Sequence, residues 1–425
     1  GQSLDAAIVG VPSAHGYIII VNSLFAKSFT YFVDMAETVE EFAKRAEAFI
    51  ASHYPLRDPN IDDDRVDTIS RSRDGHHEMT AAAKNFQRQL HEAGLAGVRV
   101  PVEYGGLGLT RAHETALEEI ITRYDTPTRR PMGIGIGLAL PTILAAGTDE
   151  QKKRFVPKIL SAEEAWCQLF SEPDAGSDLV SLRTKAELDG ESWIVNGQKV
   201  WSSYAIDAQY GMLLVRSDPN SEKPHSGITM LILKMDLPGV TVRPLVDITG
   251  GLHFNEVFLQ DVIIPKDMIL GEPNKGWGVA NGTLGGERSG YRGGSGDGRR
   301  RRQIMEAAQG TDALADPVLR QRIVSVIADE WIIDRLGERF ESGTVCEGNP
   351  AAGSIMKLLV GNLEQKSSEL VVDILGAQAS AWDAGNWDAG GPNHQLNASR
   401  QSMIAGGTHQ IQRNLLGERV LGLPR

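Results

Sequence analysis

The sequence predicts an α+β protein in three parts: a helical N-terminal domain, a middle β-domain built as an antiparallel sheet or barrel, and a helical C-terminal domain. Three observations predict it. Apolar residues recur at helical spacing from Thr38, short alternating runs begin near Trp166, and helical spacing returns from Trp277. The expected divisions are 1–34 as an N-terminal extension, then 35–164, 165–274 and 275–425. With 425 residues, 41% apolar and 23% charged, the composition is that of a folded globular protein and excludes disordered, collagen-like and disulfide-scaffold classes.

In the first part, Val39, Phe42, Ala43, Ala46, Phe49 and Ile50 define one helix face. Helices follow over Met79 to Ala93, closed by Gly94, over Ala112 to Tyr124, and over the nearly all-apolar stretch Gly135 to Ala146. Thr148 and Gln151 have capping-box spacing for another. The middle part alternates in Ala186 to Leu188, Trp193 to Val195, Gly211 to Val215, Ile228 to Leu233, Val240 to Val242 and Glu256 to Leu259. Asp189-Gly190 and Asn196-Gly197 read as hairpin turns. No helix-length segment separates these strands, so a doubly wound parallel sheet is excluded. In the last part, Ile323, Val326, Ile327, Trp331, Ile332 and Leu336 form one stripe, and Ile355, Leu358, Leu359, Leu363, Leu370, Val371 and Leu375 another. They suit a bundle with some surface left for subunit contact. Ser289 to Gly298, ahead of Arg299 to Arg302, reads as a solvated loop.

The formal charge of −12 argues against nucleic acid as a partner. Cys167 and Cys346 are isolated, which fits a reducing, cytoplasmic compartment and neither a disulfide framework nor zinc. Tyr17 to Val33 is interrupted by Asn22, Ser23, Lys27 and Ser28, so no membrane span or export signal is expected. Residues 1–34 read as an extension ahead of a natural start at Met35. No G-x-G-x-x-G follows a strand, and no P-loop or G-x-S-x-G is present. Asp58, Asn60 and Asp62 begin like a calcium loop, but Asp63 and Ile69 stand where glycine and glutamate are required. His76-His77-Glu78 and His113-Glu114 lack a second histidine one turn later, so no metal is expected.

Two segments carry ligand chemistry. Trp166 to Asp178, WCQLFSEPDAGSD, places a strand before a loop of small residues whose backbone N–H groups and hydroxyls can approach a flat heterocycle or a pyrophosphate. Val200-Trp201-Ser202-Ser203 offers an aromatic face and hydroxyls for a ring edge. Each alone also reads as an ordinary polar loop.

Together, and in this order, they resemble the acyl-CoA dehydrogenase family of flavoproteins. The resemblance runs from about Thr38 to Arg425, through Val102 to Gly108, Ser171 to Asp178, Asn196 to Trp201, Asp261 to Pro265, Leu270 to Glu272, Leu284 to Arg288 and Gly407 to Asn414. It implies a helix, β-barrel, helix fold and FAD-dependent α,β-dehydrogenation of an acyl-CoA thioester. In that reaction a carboxylate takes the α-proton and the β-hydrogen leaves as hydride. It also implies flavin contacts from Leu169, Phe170, Ser171, Gly176 and Ser177, with Ser177 shared with the CoA arm. Trp201 and Ser203 would cover the isoalloxazine, Thr408 and Gln410 would meet the nucleotide, and Arg288 and Gly407 would lie on the substrate side.

The common base position, just before the closing Gly-Thr, is Gly406 here, which cannot take a proton. The isovaleryl-like branch of the family carries its base in a Glu-Arg pair on the first helix of the last domain; that pair is Glu287-Arg288, so Glu287 is the expected base. A Glu-Arg step in a helix otherwise reads as a solvated pair. The family's Arg-x-x-Phe-Gly segment has no counterpart after Ala307, and its Gln-x-x-Gly-Gly reads Asp373 to Ala377. Such losses resemble bacterial members that pair as α2β2, beside the homotetramer. The resemblance further implies electron transfer to an electron-transfer flavoprotein, and the displaced base suits a branched or bulky acyl group such as a sterol side chain, within fatty acid or sterol catabolism. A flavin oxidase or monooxygenase on the same fold, and a non-catalytic subunit of a heteromeric dehydrogenase, are the alternatives.

Overall fold

The computed structural model of the chain describes residues 7–13, 16–22, 29–33, 37–58, 75–289, 298–345, 351–380 and 391–424. The helices of its first part are α1 (Val39–His53), α2 (Gly75–Glu92), α3 (Arg111–Arg123), α4 (Leu140–Ala146) and α5 (Asp149–Leu160). Two compact units result, one of Gly1–Arg57, Ala93–Val102 and Gly106–Thr126, the other of Asp58–Glu92, Glu103–Gly105 and Pro127–Arg425.

In the first unit, β1 (Ala7–Ser13), β2 (Gly16–Asn22) and β3 (Phe29–Val33) form an antiparallel three-stranded sheet, so the apolar run from Tyr17 is strand rather than helix. Helix α1 starts where Thr38 can cap it. The Thr38 hydroxyl accepts from the Glu41 N–H at 3.2 Å, and the Glu41 carboxylate accepts from the Thr38 N–H at 3.0 Å. Phe42, Ala46 and Ile50 are buried on α1 and Leu117, Ile120 and Ile121 on α3, each large side chain stabilising by about 1.5–3 kcal/mol. Gly106 is obligatory, because a Cβ there would lie 2.2 Å from the Val100 carbonyl oxygen.

The second unit holds the main sheet: β4 (Trp166–Leu169), β5 (Lys185–Asp189), β6 (Ser192–Lys199), β7 (Tyr210–Arg216), β8 (Ile228–Lys234), β9 (Val240–Leu245) and β10 (Phe254–Pro265). Its path is β4-β7-β5-β6-β10-β9, with β8 along the other edge of β7. Most pairings are antiparallel, as expected, but β4 and β5 both pair with β7 in parallel. The β5–β6 hairpin lies within the chain joining β4 to β7 and provides the length that a parallel return requires. The hairpin turn is Gly190-Glu191, with Gly190 at φ +59°. Asn196-Gly197 makes no turn. It lies inside β6, where the Asn196 amide exchanges two hydrogen bonds with Asp261 (3.0 and 2.8 Å) at a bulge in β10. Gly197 is needed because a Cβ would come within 2.5 Å of Thr184 Oγ1.

The remaining helices of the first part brace this sheet. Gln151 completes the capping box with Thr148 and donates to the Asp267 and Ile269 carbonyls at 2.9 and 2.8 Å. Gly135 to Ala146 is a π-helical turn, Gly135–Ala139, running into α4, and it is buried on one face only; Gly137, Pro141 and Ala145 are exposed. Trp166 stacks on Tyr210 at 5.3 Å and meets Phe155 edge-on at 5.3 Å, contacts worth about 0.5–1.5 kcal/mol each beyond burial.

The C-terminal helices are α6 (Gly276–Ser289), α7 (Arg299–Gln309), α8 (Pro317–Glu341), α9 (Ala351–Leu375), α10 (Pro392–Ala398) and α11 (His409–Leu415). Ile304, Ile323, Val326, Met356, Leu363 and Leu370 centre their core, while Trp331 and Ile332 of the α8 stripe face outward. The four arginines form the first turn of α7, where Arg301 and Arg302 are exposed. Arg300 is buried between the carboxylates of Glu364, which it hydrogen-bonds, and Glu330, 3.8 Å away. Cys167 is a free thiol in the sheet core, and burial pushes its pKa up. Among the described residues no helix is long and apolar enough to cross a membrane, and no group of three His, Cys, Asp or Glu side chains gathers for a metal. Residues 59–74, residues 290–297 and Cys346 lie outside the described residues.

Candidate active site

The sequence-predicted residues fall into two groups within the second unit. The first is at the end of the sheet. Leu169 and Phe170 are buried where β4 stops, and the Ser171 carbonyl accepts from the Val200 N–H at 2.9 Å, tying the end of β4 to the end of β6. Glu172 and Ala175 then exchange backbone hydrogen bonds at 3.0 and 3.1 Å, closing a turn with Pro173 and Asp174 outside. Gly176 and Ser177 follow, both exposed, and a Cβ at Gly176 would meet nothing within 4 Å.

A buried ion pair that sequence reasoning missed holds this loop. Lys199, fully buried, donates to the Phe170 carbonyl at 3.1 Å and to Glu172 Oε1 at 2.8 Å. Glu172 also accepts from the Arg183 and Thr184 N–H groups at 2.6 and 2.9 Å. Burial pushes the Lys199 amine down to about 8, with Glu172 opposing. Burial also acts to raise Glu172, but the Lys199 charge and the backbone donors outweigh it and hold the carboxyl below its usual range. Both groups are therefore charged at neutral pH. Trp193, Val195, Gly197 and Lys199 occupy alternate positions of β6, so strand periodicity places Lys199 on the inward face despite its charge.

Trp201 turns the chain out of β6 at φ +59°, a costly conformation for a residue with a Cβ, and Tyr204 repeats it at φ +56°. The segment is pinned to the start of β10. The Ser202 N–H donates to the Asn255 carbonyl (3.0 Å), the Asn255 side chain donates to the Ser202 carbonyl (3.0 Å), and the Tyr204 N–H donates to the His253 carbonyl (2.8 Å). Trp201 rests edge-on against Phe254 at 5.3 Å yet stays 55% exposed, presenting an indole held in place by a fixed backbone. Ser203 beside it is half-buried.

The second group is helical. Glu287 is half-buried in α6; nothing is described of the Arg288 side chain. Gly406 and Gly407 take φ +67° and +92°, which turns the chain into the N-terminus of α11, where the Thr408 hydroxyl accepts from the Ile411 N–H at 3.3 Å. Buried Gln412 donates to the Gly406 carbonyl at 2.7 Å and braces that turn; Gln410 points to solvent. Two further titratable side chains, not singled out from sequence, are buried here: Lys357 of α9 and His409 of α11. Burial pushes the Lys357 amine down to about 8, against the charge of Glu287. Burial, and then the charges of Lys357 and Arg413, also lower His409. Helices α9 and α11 approach closely at Gly361, where a Cβ would lie 2.6 Å from His409 Nε2 and 2.8 Å from the Ser402 carbonyl oxygen.

Residues 35–163, 167–262 and 274–421 match, in turn, the acyl-CoA dehydrogenase N-terminal, middle and C-terminal domains. The chain belongs to the acyl-CoA dehydrogenase family. It is 38% identical over 355 residues to the Mycobacterium tuberculosis acyl-CoA dehydrogenase IpdE1, covering 82% of this chain and 90% of that protein. It is 32% identical over 195 residues to mitochondrial isovaleryl-CoA dehydrogenase of Pongo abelii, covering 45% and 46% of the two chains. Among solved structures, the Tcur3481–Tcur3483 steroid ACAD superposes with a TM-score of 0.73 at 25% identity, covering 91% of this chain and 98% of that one. The ChsE4–ChsE5 complex of M. tuberculosis gives 0.71 at 26%, covering 93% and 100%. The expected helix, sheet, helix order is the fold of this family. Its members are flavoproteins and oxidoreductases. The exposed indole of Trp201, the open face at Gly176 and the hydroxyls of Ser177 and Ser203 fit a flat heterocycle with polar edges.

Proposed function

We propose that this acyl-CoA dehydrogenase homologue catalyses FAD-dependent α,β-dehydrogenation of an acyl-CoA thioester to the 2-enoyl-CoA, with Glu287 as the base. The observation that carries the reading is a pair of positions: Glu287 is a half-buried carboxylate on α6, while the usual base position is Gly406, a glycine in left-handed conformation. When bound, FAD supplies the acceptor for the β-hydride. Leu169, Phe170, Ser171, Gly176, Ser177, Trp201 and Ser203 would hold its ring system, and Thr408 and Gln410 its nucleotide end. Ser177, Arg288 and Gly407 would take the thioester arm. Glu287 removes the α-proton, and hydrogen bonds to the thioester carbonyl stabilise the enolate-like charge.

A branched or bulky acyl group, including a sterol side chain, is the favoured substrate class. Helix α6 carries Gly278, Gly282, Gly285 and Gly286, and a Cβ at any of them would meet nothing within 4 Å, which leaves room on the helix that bears Glu287. The steroid dehydrogenase neighbour supports the same class. The chain would work in the cytoplasm in fatty acid or sterol catabolism and pass electrons to an electron-transfer flavoprotein. It would assemble as a homotetramer or as an α2β2 pair with a related subunit, a reading supported by the ChsE4–ChsE5 complex. The test is the visible spectrum of the purified chain, alone and with a candidate partner chain, followed on anaerobic addition of straight, branched and steroid acyl-CoA thioesters. Bleaching by bulky thioesters supports the reading. A chain that stays colourless with either assembly removes it, and a strict preference for straight chains removes the substrate class.

A further inference from the structure

Helix α6 carries Glu287, yet little in its own sequence holds it in place. Glycine, the poorest helix former after proline, supplies Gly276, Gly278, Gly282, Gly285 and Gly286 among its 14 residues. Its buried stripe runs through Gly276, Ala280 and Thr283 at helical spacing, and half-buried Glu287 takes the next place, one turn on. Side chains this small give shallow ridges, so interdigitation does little to fix how the helix is rotated. Direction comes instead from two hydroxyls. Thr142 of α4 and Thr283 of α6 are both buried, and their Oγ1 atoms lie 2.8 Å apart. Thr142 Oγ1 is also 2.7 Å from the Leu138 carbonyl oxygen, and Thr283 Oγ1 is 3.1 Å from that of Val279. Two hydroxyls have two protons for these three contacts, so the bond between the threonines forms together with one of the carbonyl bonds. The shorter carbonyl contact favours the order in which Thr283 donates to Thr142 and Thr142 to Leu138. That chain ties α6, through α4, to the π-helical turn Gly135–Ala139.

The same contact fixes the register of the two helices. The Gly271 N–H donates to the Ala146 carbonyl at 3.1 Å, and a Cβ at Gly271 would lie 3.1 Å from Val279 Cγ2, so the first turn of α6 sits beside the end of α4. With Thr283 against Thr142, α4 and α6 run antiparallel, and one further turn along each brings the Glu287 position level with Leu138 in the π-helical turn. Helix α6 packs against that turn as well as against α4. We propose that Thr142 and Thr283 are positioning residues for proton abstraction: their buried hydroxyl pair sets the rotation and register of α6, and so the place from which Glu287 reaches the α-carbon. This rests on the reading of Glu287 as the base. Valine keeps the branched shape of threonine and lacks the hydroxyl, so Thr→Val removes the pin and little else. A base displaced by about 1 Å loses about 100-fold in rate, which makes a small rotation of α6 measurable.

The test uses the flavin-loaded protein, in complex if it requires a partner chain. Wild type, Thr283→Val, Thr142→Val, the double variant, Thr283→Ser and Glu287→Gln are mixed anaerobically with an acyl-CoA thioester that bleaches the wild type, and with the same thioester deuterated at the α-carbon. Each valine variant should bleach about 10- to 100-fold slower, while the thioester concentration giving half the maximal rate moves by less than about threefold. The deuterium effect should be at least that of wild type, because the slowed step breaks the α-carbon–hydrogen bond. The double variant should be no slower than the slower single one, since both remove one contact, and Thr283→Ser should recover most of the rate. Wild-type rates in both valine variants, equal losses of rate and thioester affinity, or a deuterium effect falling toward one, with Glu287→Gln inactive, overturn the role of the pair alone. Wild-type bleaching by Glu287→Gln overturns the base itself. A second measurement needs no turnover. Amide hydrogen exchange over residues 283–287 should quicken about two- to tenfold in either valine variant and stay near wild type in Thr283→Ser. Unchanged exchange in both valine variants would mean that other contacts hold α6, and overturns the proposal.

Discussion

Replacing Lys199 by methionine tests how the loop after β4, from Ser171 to Ser177, is held. The substitution keeps an unbranched side chain in a fully buried site but removes the donor to the Phe170 carbonyl and the partner of Glu172. Breaking one side of a buried ion pair costs about 3–5 kcal/mol, because the other charge remains buried. Here Glu172 retains the Arg183 and Thr184 N–H donors, so the expected loss lies near the lower end, about 3 kcal/mol. Glu172→Gln should cost less. At pH 7 Lys199 can shed its proton for about 1.4 kcal/mol, one pH unit below its folded value of about 8, with somewhat less needed once Glu172 is neutral. The double variant carries no buried charge and should recover most of the loss, giving a coupling of about 2 kcal/mol or more. Urea unfolding at pH 7, followed by the fluorescence of buried Trp166 and Trp193, measures all three. A cost below about 1 kcal/mol for Lys199→Met, or a double variant whose loss is the sum of the singles, refutes the reasoning.

Other outcomes follow from single contacts. Gly361→Ala gains about 1 kcal/mol of helix propensity but places a methyl 2.6 Å from His409 Nε2, so it should destabilise by about 1–2 kcal/mol net in urea unfolding; a gain would contradict the close packing of α9 on α11. Trp201→Gly relieves a left-handed backbone while losing the Phe254 contact. Stability should stay within about 1 kcal/mol of wild type while flavin retained after gel filtration falls sharply; full retention would remove Trp201 from the flavin site. His409 has a folded pKa below its ordinary 6.5, so its contribution is present above 6.5 and lost as the unfolded chain takes up protons below it. Acid unfolding curves of His409→Gln should accordingly be flatter than wild type in that range, and identical slopes would contradict the shift. Arg300→Met leaves buried Glu330 and half-buried Glu364 without their cation and should cost about 3 kcal/mol at pH 7; a loss under about 1 kcal/mol would show that the triad is solvated.

The order of helices, strands and helices was legible because periodicity is a one-dimensional property. What periodicity missed has a local cause in each case. Strand β10 continues to Pro265, but its inward residues change phase at the bulge, from Val257 and Leu259 to Val262 and Ile264, which breaks the alternation at Leu259. The Asn196-Gly197 pair has the composition of a turn, yet its amide closes that bulge from the neighbouring strand, and only the pairing register distinguishes the two uses. The burial of Arg300 was not legible because its partners, Glu330 and Glu364, lie on later helices. Lys199 and Lys357 were passed over by residue type, although the β6 alternation and the apolar face of α9 place both inside. The loop after β4 was singled out through ordered motifs; the charge that holds it was not, because the buried pair Lys199 and Glu172 joins positions 27 residues apart.

The most direct measurement of the central assignment compares wild type with Glu287→Gln in a single anaerobic mixing with an acyl-CoA thioester that reduces the wild type. The account predicts that the variant retains its yellow colour and binds the thioester, seen as a perturbed flavin spectrum, but bleaches slower by several orders of magnitude. Bleaching at the wild-type rate would mean that another group takes the α-proton, and the assignment of Glu287 would be wrong.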